Sequence, residues 1–307
     1  MPRTVTVGLD GSAESRAAAE WAAREAVLRG LPLRLVQVWE PLPDPLAQAP
    51  LLGAEAEQEW TERAPSESAA GLRLRHPGLE VSTEQRTGDP VDELCEAAGT
   101  SELLALGSRG LGGLHGFLVG SVGMAVVGHA GCPVVMVRAD EQAADEHLAD
   151  PAGIPSAATP FRPVVLGLDI TAPDAALLDF AFGTAALRGA PLRVVYAWVP
   201  QPPPSYTPGY AYEAETPSVT EEALEPRNAF MLGRALEPWR KSFPDVDVAE
   251  AAVEGSAGSV LVDASRDASL IVVGRRVRKA RLGAHLGHVA HAVLHHSPAP
   301  VAVVPHG

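Results

Sequence analysis

The sequence of 307 residues carries one α/β pattern twice, at a constant offset of 159 residues from Val5 to Val164. Val164–Asp169 repeats Val5–Asp10, and the stretch 189–200 repeats 30–41. Because the repeat period is a whole domain, the pattern indicates two tandem copies and not a solenoid. An unpatterned segment rich in Ala, Asp, Glu and Pro separates the copies and is predicted to be a solvated linker. We therefore divide the chain into a first domain (1–139), a linker (140–160) and a second domain (161–307).

Each copy alternates strand and helix signals. In the first copy, a strand rich in β-branched residues is predicted over Thr4–Leu9. A helical pattern over Ala13–Arg29 and a second strand over Leu33–Trp39 follow it. The continuously apolar runs Leu103–Leu106 and Val134–Val137 are typical of strands buried on both faces. This alternation predicts a doubly wound parallel sheet with helices on both faces in each copy. The remaining predictions are helices over Glu55–Arg75, interrupted at Pro65, and Pro90–Ala98 after Asp89, and strands over Leu79–Arg86 and Pro133–Val137.

Composition narrows the class of protein. The chain is 46% hydrophobic and 20% charged, and no apolar run approaches the ~18 residues that a membrane span needs. The N-terminal residues lead directly into a strand and do not have the pattern of a secretory signal. Cys95 and Cys132 both lie in apolar surroundings, which favours reduced core cysteines. We expect a cytoplasmic protein that does not bind membranes.

The charge balance argues against nucleic-acid binding. The formal net charge is −14, whereas binding to nucleic acid depends on a basic face that neutralises phosphates. An anionic ligand would need a local site that overcomes the overall field.

A glycine-rich stretch between a strand and a helix is the strongest candidate site. Gly107, Gly110, Gly120 and Ser121 follow the spacing Gly-x2-Gly-x9-Gly-[Ser/Thr] after the strand Leu103–Leu106. Glycines let the main chain approach an anion closely, and the start of a helix offers unpaired N–H groups and a positive dipole end. A loop that merely turns the chain from strand to helix is the simpler alternative.

This spacing resembles the nucleotide loop of ATP-binding universal stress proteins. The whole chain, apart from the linker and the proline-rich loops, resembles a tandem universal stress protein. The resemblance implies two flavodoxin-like domains with nucleotide at the carboxyl ends of the strands. It also implies a pseudo-dimer in which Val134–Val137 pairs with Val301–Val304, because exposed apolar edges tend to pair. A homodimer of the whole chain and an unidentified protein partner stay open.

The resemblance also implies roles for individual residues. Gly8 and Asp10 would lie near the ribose or a bound Mg²⁺, and the backbone around Val38 would hydrogen-bond the adenine of ATP. Residues 107–113 would wrap the ribose and phosphates. The residues implied to contact ligand are Gly8, Asp10, Val38, Gly107, Ser108, Arg109, Gly110, Leu111, Gly112, Gly113, Gly120, Ser121 and Val122.

Several of these residues have a simpler explanation. Asp10 and Ser12 stand where helix N-caps occur, so Asp10 is either a cap or a ligand contact. Ser121 is likewise free to cap its helix or to donate to a phosphate oxygen. Val38 would be a core residue in any sheet, and a lone loop arginine such as Arg109 is usually solvated.

The second copy departs from the glycine spacing. Val277 stands where the first copy has Gly110, and His288 where it has Ser121, although Gly274 and Gly287 are present. Because valine tolerates positive φ poorly and adds bulk, we expect an impaired nucleotide loop. The basic residues that follow Gly274 either hold an anion or form a solvated loop. Histidines between His285 and His296 are expected to be surface or interface residues and not a metal site.

The sequence does not predict efficient catalysis. The P-loop pattern with its phosphate-contacting lysine, the Gly-x-Ser-x-Gly elbow and His-Glu-x-x-His do not occur. Weak ATP hydrolysis at most is expected. The favoured hypothesis is ATP binding with a regulatory role in the stress response, and the alternatives are a nucleotide-independent interaction module and a slow ATPase.

Overall fold

The computed structural model describes residues 3–40, 54–110, 117–118, 120–200, 221–277 and 286–307, with the backbone alone described at 54–64, 109–110, 117–118 and 221–223. The first half alternates strands and helices as the sequence predicts. Its elements are β1 (Thr4–Leu9), α1 (Ala13–Arg29), β2 (Leu33–Trp39), α2 (Ala54–Arg75), β3 (Val81–Thr87), α3 (Pro90–Ala98), β4 (Ser101–Gly110), β5 (Phe117–Leu118), α4 (Ser121–His129) and β6 (Val134–Arg138).

The second half repeats this order. Its elements are β7 (Val164–Gly167), α5 (Ala175–Arg188), β8 (Leu192–Trp198), α6 (Glu221–Ser242), β9 (Val248–Glu254), α7 (Ala257–Ala264), β10 (Leu270–Arg276), α8 (His288–His296) and β11 (Val301–His306). Across the described ranges, none of these helices combines the length and the apolar character that a bilayer crossing requires.

Local sequence explains where the first helix of each half begins and ends. The Ser12 hydroxyl caps α1 by accepting from the backbone N–H of Ser15, and the Asp174 carboxylate caps α5 in the same manner. Gly30 and Gly189 end these helices with φ of 62° and 58°, the left-handed conformation that glycine adopts without steric cost. The two halves therefore use matching helix signals.

The two halves share one continuous sheet with the strand order β3-β2-β1-β4-β6-β11-β10-β7-β8-β9. Pairing within each half is parallel, apart from the short β5, which pairs antiparallel with β4. β6 and β11 join the halves as an antiparallel pair, with Val303 opposite Val134 and Val301 opposite Met136. The predictions of two doubly wound domains and of pairing between their last strands are confirmed.

The core lies on both faces of this sheet. Alternate residues of β4 point to opposite faces, so that Leu103 and Ala105 belong to one buried cluster while Leu104 and Leu106 belong to the other. Both clusters include residues from both halves of the chain. The apolar run in β4 is therefore buried on both sides, as its sequence indicates.

Some element boundaries differ from the predictions. The helix α2 continues through Pro65, so the predicted interruption is wrong. Proline removes one helical hydrogen bond, but packing of the helix on β2 and β3 stabilises it. The strand β3 begins at Val81, because the Leu79 N–H donates to the His76 carbonyl in a turn that precedes it.

Both cysteines are free thiols, in agreement with the prediction. Cys132 is buried and Cys95 is half-buried. Burial raises the pKa of the Cys132 thiol to about 12, so this side chain is an unreactive core residue.

The linker is not solvated throughout. It contains a short 3-10 helix, Ala143–Glu146, and Glu146 is buried. The Glu146 carboxylate accepts from Trp21 Nε1 at 2.9 Å, from Arg24 Nε at 3.0 Å and from Arg188 Nη1 at 3.0 Å. These donors lie on α1 of the first half and α5 of the second. The prediction of a solvated linker is therefore wrong at this point, because its acidic side chain finds buried cations on distant helices.

Candidate functional site

The carboxyl ends of β1, β2 and β4 meet the start of α4 around a cavity of about 320 Å³. Doubly wound sheets bind ligands at this edge, where the crossover connections leave in opposite directions. Several residues that the sequence singles out are brought together here, and those that line the cavity are Gly8, Asp10, Val38, Gly107, Gly120, Ser121 and Val122.

Asp10 is not the cap of α1. Its Oδ1 accepts from the Ser12 N–H at 3.0 Å and from the Ser12 hydroxyl at 2.5 Å, whereas Ser12 itself caps the helix. Within the described residues, Oδ2 of Asp10 accepts no hydrogen bond. In the second half, Asp169 Oδ1 accepts from Thr171 N–H and hydroxyl at 2.9 Å and 2.6 Å in the same arrangement. The turns after β1 and β7 therefore each leave one carboxylate oxygen for the cavity that their aspartate lines.

The electrostatics of the turn keep Asp10 ionised. Burial raises the pKa of this carboxyl, but the hydrogen bonds from the Ser12 hydroxyl and N–H, with smaller contributions from the nearby Ser15 hydroxyl and the Asp10 backbone, outweigh it. The net pKa of Asp10 lies below its ordinary value. The cavity therefore contains a carboxylate anion at neutral pH.

The glycines in the cavity wall serve two different needs. A Cβ on Gly107 would lie 2.5 Å from the Glu14 carbonyl carbon, and a Cβ on Gly8 would lie 2.7 Å from Leu106 Cδ2. These two glycines allow close packing of the strands against α1 and against neighbouring side chains. Gly120 is different, because its φ of −60° suits any residue and a Cβ there would meet nothing within 4 Å. Its missing side chain leaves open space.

The start of α4 has unsatisfied backbone donors. Gly120 is the N-cap and provides no side-chain hydrogen bond to the helix. In the part of the chain that the structure describes, the N–H groups of Ser121, Val122 and Gly123 find no acceptor, and the Ser121 side chain is exposed. Ser121 is thus not a cap, and its hydroxyl has no partner among the described residues around the cavity. Unpaired N–H groups with a positive helix dipole favour an anion.

Other residues of the predicted glycine loop are strand residues. β4 extends to Gly110, and Arg109 and Gly110 pair with Leu118 and Phe117 of β5. The Ser108 hydroxyl is buried and donates to the Val137 carbonyl at 3.2 Å, away from the cavity lining. The backbone here is therefore held by strand pairing and not by a simple loop. Leu111, Gly112 and Gly113 lie outside the described residues.

The sequence did not identify the apolar wall of the cavity. Leu94 of α3 and Leu106 of β4 contribute their side chains, and Pro90 lies beside them. In the sequence, the feature that points to this wall is the pair Asp89-Pro90, which marks the start of a helix after a strand. The lining residues that sequence reasoning did not place at the site are Leu9, Ser12, Glu14, Ser15, Val36, Pro90, Leu94, Leu106 and Gly123.

A corresponding cavity of about 610 Å³ lies in the second half. Its lining includes Asp169, Gly274, Gly287 and His288, at positions equivalent to Asp10, Gly107, Gly120 and Ser121. His306 covers Gly274, since a Cβ there would lie 2.6 Å from the His306 Nε2. This cavity therefore keeps the glycines and the aspartate but is lined by imidazoles.

The expected effect of Val277 is not supported. Val277 is 48% exposed and is not among the residues that line the cavity. No described residue other than glycine has a positive φ, so Val277 is unstrained. The reason given for an impaired second loop, bulk and backbone strain at this residue, is therefore wrong.

The histidines of α8 do not form a metal site with described neighbours. The rings of His291 and His295 lie 4.3 Å apart. Burial lowers the pKa of His291, and the nearby His295 and His296 lower it further. The described ranges contain no group of three or more His, Cys, Asp or Glu side chains placed to hold a metal ion.

Comparison with known proteins agrees with the fold and the internal repeat. The universal stress protein family matches this chain twice, over residues 1–138 and 160–305. Universal stress protein Rv2005c of Mycobacterium tuberculosis is 32% identical over 307 residues, covering 97% of this chain and 96% of the relative. A universal stress protein of Mycolicibacterium smegmatis is 30% identical, covering 98% and 96%.

Solved structures show the same architecture. The crystal structure of a universal stress protein from Archaeoglobus fulgidus superposes with a TM-score of 0.68 at 18% identity, covering 99% of this chain and 98% of that chain. At this identity the likeness concerns the fold. With the two family matches, it accounts for both halves of the molecule. The chain belongs to the universal stress protein family and contains the family's domain twice.

Proposed function

We propose that the first half binds ATP in the cavity at the carboxyl ends of β1, β2 and β4, and that nucleotide occupancy regulates a stress response without efficient catalysis. The observation that supports this most directly is the uncapped start of α4. Gly120 leaves open space there, and Asp10 provides a carboxylate oxygen in the same cavity.

The phosphates of ATP fit the start of α4. The N–H groups of Ser121, Val122 and Gly123 and the Ser121 hydroxyl are donors without acceptors among the described residues. Such donors, together with the helix dipole, bind phosphate oxygens in many nucleotide sites. A side chain at Gly120 would occupy the space through which a phosphate reaches them.

The cavity also suits the other parts of the nucleotide. Val36, Val38, Leu94 and Leu106 supply an apolar wall for a base. The last residue of β2 that pairs with β1 is Gln37, which lies opposite Leu9. Val38 is the next residue, and a base edge would approach its backbone there. Asp10, ionised and with Oδ2 free, would hold the Mg²⁺ that accompanies a triphosphate and neutralises its charge.

Efficient hydrolysis is not part of this proposal. Among the described lining residues, the acids are Asp10 and Glu14, and no lysine, arginine or histidine lines the cavity. Fast phosphoryl transfer needs cations on the transferred phosphate and a group that orients the nucleophile. Nucleotide occupancy fits a regulatory role better than a catalytic one, because β5, which pairs with the end of β4, contacts α8 of the second half. A ligand bound at the start of α4 would act on that contact.

Calorimetric titration of the full chain with Mg-ATP tests the proposal. We expect saturable binding to the wild type and at least a tenfold loss of affinity in Gly120→Val, because the side chain would fill the phosphate approach. The backbone of Gly120 tolerates valine, since its φ is −60°. Gly131→Val is the matched control, because Gly131 is exposed and lies outside the cavity lining, and a Cβ there, as at Gly120, would meet nothing within 4 Å.

Equal affinity in both variants would refute the proposed phosphate position. Absence of heat and of thermal stabilisation at millimolar ATP would favour a nucleotide-independent interaction module instead. Steady phosphate release that disappears in Asp10→Ala would favour a slow ATPase.

A further inference from the structure

A separate cavity of about 350 Å³ lies in the first half between α1 and α2, on the face of the sheet opposite the wall formed by Val36 and Val38. It meets the nucleotide cavity only at Leu9 and Ser15 among the described residues. Its volume falls in the range of small-molecule sites. Leu9, Ala19 and Leu72 give it an apolar wall.

Gln37 is the unusual residue in this cavity. It follows Leu33 and Leu35 on the core-facing side of β2 and is 8% exposed. Its Oε1 is buried and accepts no hydrogen bond from the residues that the structure describes. A buried carbonyl oxygen without a donor destabilises the fold, so a lining group of this kind calls for a donor from a ligand.

Among the described residues, one cation and one anion on the rim lack a partner of opposite charge. Arg16 donates to the Gly11 carbonyl at 2.7 Å but contacts no carboxylate, and Glu67 contacts no cation, among the described residues. The other two charged residues that line the cavity, Arg75 and Glu20, form an ion pair with each other. A ligand that satisfies this rim therefore needs both an anionic and a cationic group.

We propose that this cavity binds a free amino acid with an apolar side chain. The ligand carboxylate would pair with the Arg16 guanidinium, and its ammonium would donate to Gln37 Oε1 and to the Glu67 carboxylate. Its side chain would pack on Leu9 and Leu72. The two cavities lie on opposite faces of the sheet and share only Leu9 and Ser15 among the described residues, so we expect each site to bind its ligand without the other.

The second half supplies a natural test substitution. Tyr196 occupies the position equivalent to Gln37, and its ring packs against the core. The substitution Gln37→Tyr therefore introduces a residue that this fold already accommodates and would fill the cavity. Gln85→Tyr is the matched control, because Gln85 lies opposite Gln37 in register on the neighbouring strand but is exposed.

The experiment is calorimetric titration of the full chain with each of the twenty proteinogenic amino acids, at up to about 10 mM to detect a millimolar Kd. We expect at least one apolar amino acid to bind saturably, and acetate or methylammonium alone to bind more weakly. Gln37→Tyr should weaken binding at least tenfold and Gln85→Tyr should not. Arg16→Gln, at an exposed residue, should weaken it even if Gln37→Tyr unfolds.

Two results would overturn the proposal. One is no saturable heat from any amino acid with the wild type. The other is equal affinity in the wild type and in folded Gln37→Tyr or Arg16→Gln. A parallel Mg-ATP titration keeps this outcome separate from the nucleotide proposal, because loss of amino-acid binding is expected to leave ATP affinity in Gln37→Tyr unchanged.

Discussion

Single residues in the glycine motif have different physical roles, although the sequence presents them as one pattern. Gly107 lets β4 pass against the first turn of α1, where a Cβ would lie 2.5 Å from the Glu14 carbonyl carbon and 2.7 Å from the Ser15 nitrogen. Gly120 has no such neighbour and keeps the cavity open. Packing thus explains the first glycine, whereas no contact with a described residue explains the second.

At the residue scale, we expect Gly107→Ala to lower the free energy of unfolding by about 1–3 kcal/mol, the usual cost of overpacking a close contact. The backbone of α1 would have to shift, since the close atoms are main-chain atoms. Urea denaturation measures this change. Gly131→Ala, at an exposed glycine with open space, should stay within about 0.5 kcal/mol of the wild type. Equal stability of the two variants would contradict the packing role.

The candidate site was partly predictable at this scale. The strand-turn-helix signal at Asp10 and the spacing of Gly120 and Ser121 place three lining residues from local sequence alone. The role of Asp10 was not predictable, because both a cap and a turn acceptor suit an aspartate before a helix. Leu94 was also missed, since its position at the cavity depends on how α3 packs against β4.

Among the elements, the linker differs most from its sequence pattern. Arg24 donates to Glu141 Oε1 at 2.6 Å and also to Glu146, so two carboxylates share one guanidinium. Burial raises the pKa of Glu141 to about 7, and the carboxylates of Glu146 and Asp145 add to this while Arg24 opposes it. The arginine stays charged, because the two carboxylates raise its pKa despite burial.

This arrangement predicts a pH dependence of stability. The pKa of Glu141 in the folded state lies above its ordinary value of 4.5, so protonation of Glu141 favours the folded state. The stabilisation of the folded state by this raised pKa is complete below pH 4.5 and is lost as the pH rises through about 7. We expect the wild type to lose about 2–3 kcal/mol of unfolding free energy between pH 5 and 8 relative to Glu141→Gln, at about 1.4 kcal/mol per pKa unit.

Chemical denaturation at a series of pH values checks this expectation. Glu102→Gln removes an exposed pair with Arg3 and should give a curve parallel to that of the wild type. If the Glu141→Gln curve also ran parallel to the wild type, ionisation of Glu141 would not be linked to folding.

Helices α3 and α2 show which features of a helix can be predicted from the local sequence. Asp89 accepts from the N–H groups of Val91 and Asp92, so the Asp-Pro start of α3 was predicted correctly from local chemistry. Pro65 predicts a break, yet α2 continues through it. The difference is that a cap is satisfied by neighbouring residues, whereas a helix with an internal proline depends on packing against other elements.

At the scale of the whole molecule, the two halves share their sheet and their core. One sheet and two apolar clusters run through both halves, and Arg188 of α5 connects them further. Its Nη2 donates to Glu25 of α1 at 2.9 Å and its Nη1 to Glu146 of the linker at 3.0 Å. The Arg188 side chain is 1% exposed and those of Glu25 and Glu146 are 2% and 3% exposed. The ion network therefore lies at the junction of all three parts of the chain.

At this scale, we expect Arg188→Ala to lower the free energy of unfolding by about 3–5 kcal/mol, because two buried carboxylates would lose a cation. Denaturant unfolding followed by fluorescence measures the loss. Arg266→Ala serves as the control, since its pair with Asp263 is largely exposed and should contribute about 0–1 kcal/mol. Equal losses in the two variants would show that the buried network does not stabilise the junction.

The sequence by itself determined the tandem repeat and the doubly wound class, and together with the family resemblance it indicated the pairing of Val134–Val137 with Val301–Val304. These follow from hydrophobic periodicity and apolar strand edges, which are local properties. Only the tertiary structure decided the roles of Gly107, Gln37 and Glu146. Each role depends on atoms that come from distant parts of the chain, and which buried donor, acceptor or surface a side chain meets is set by packing.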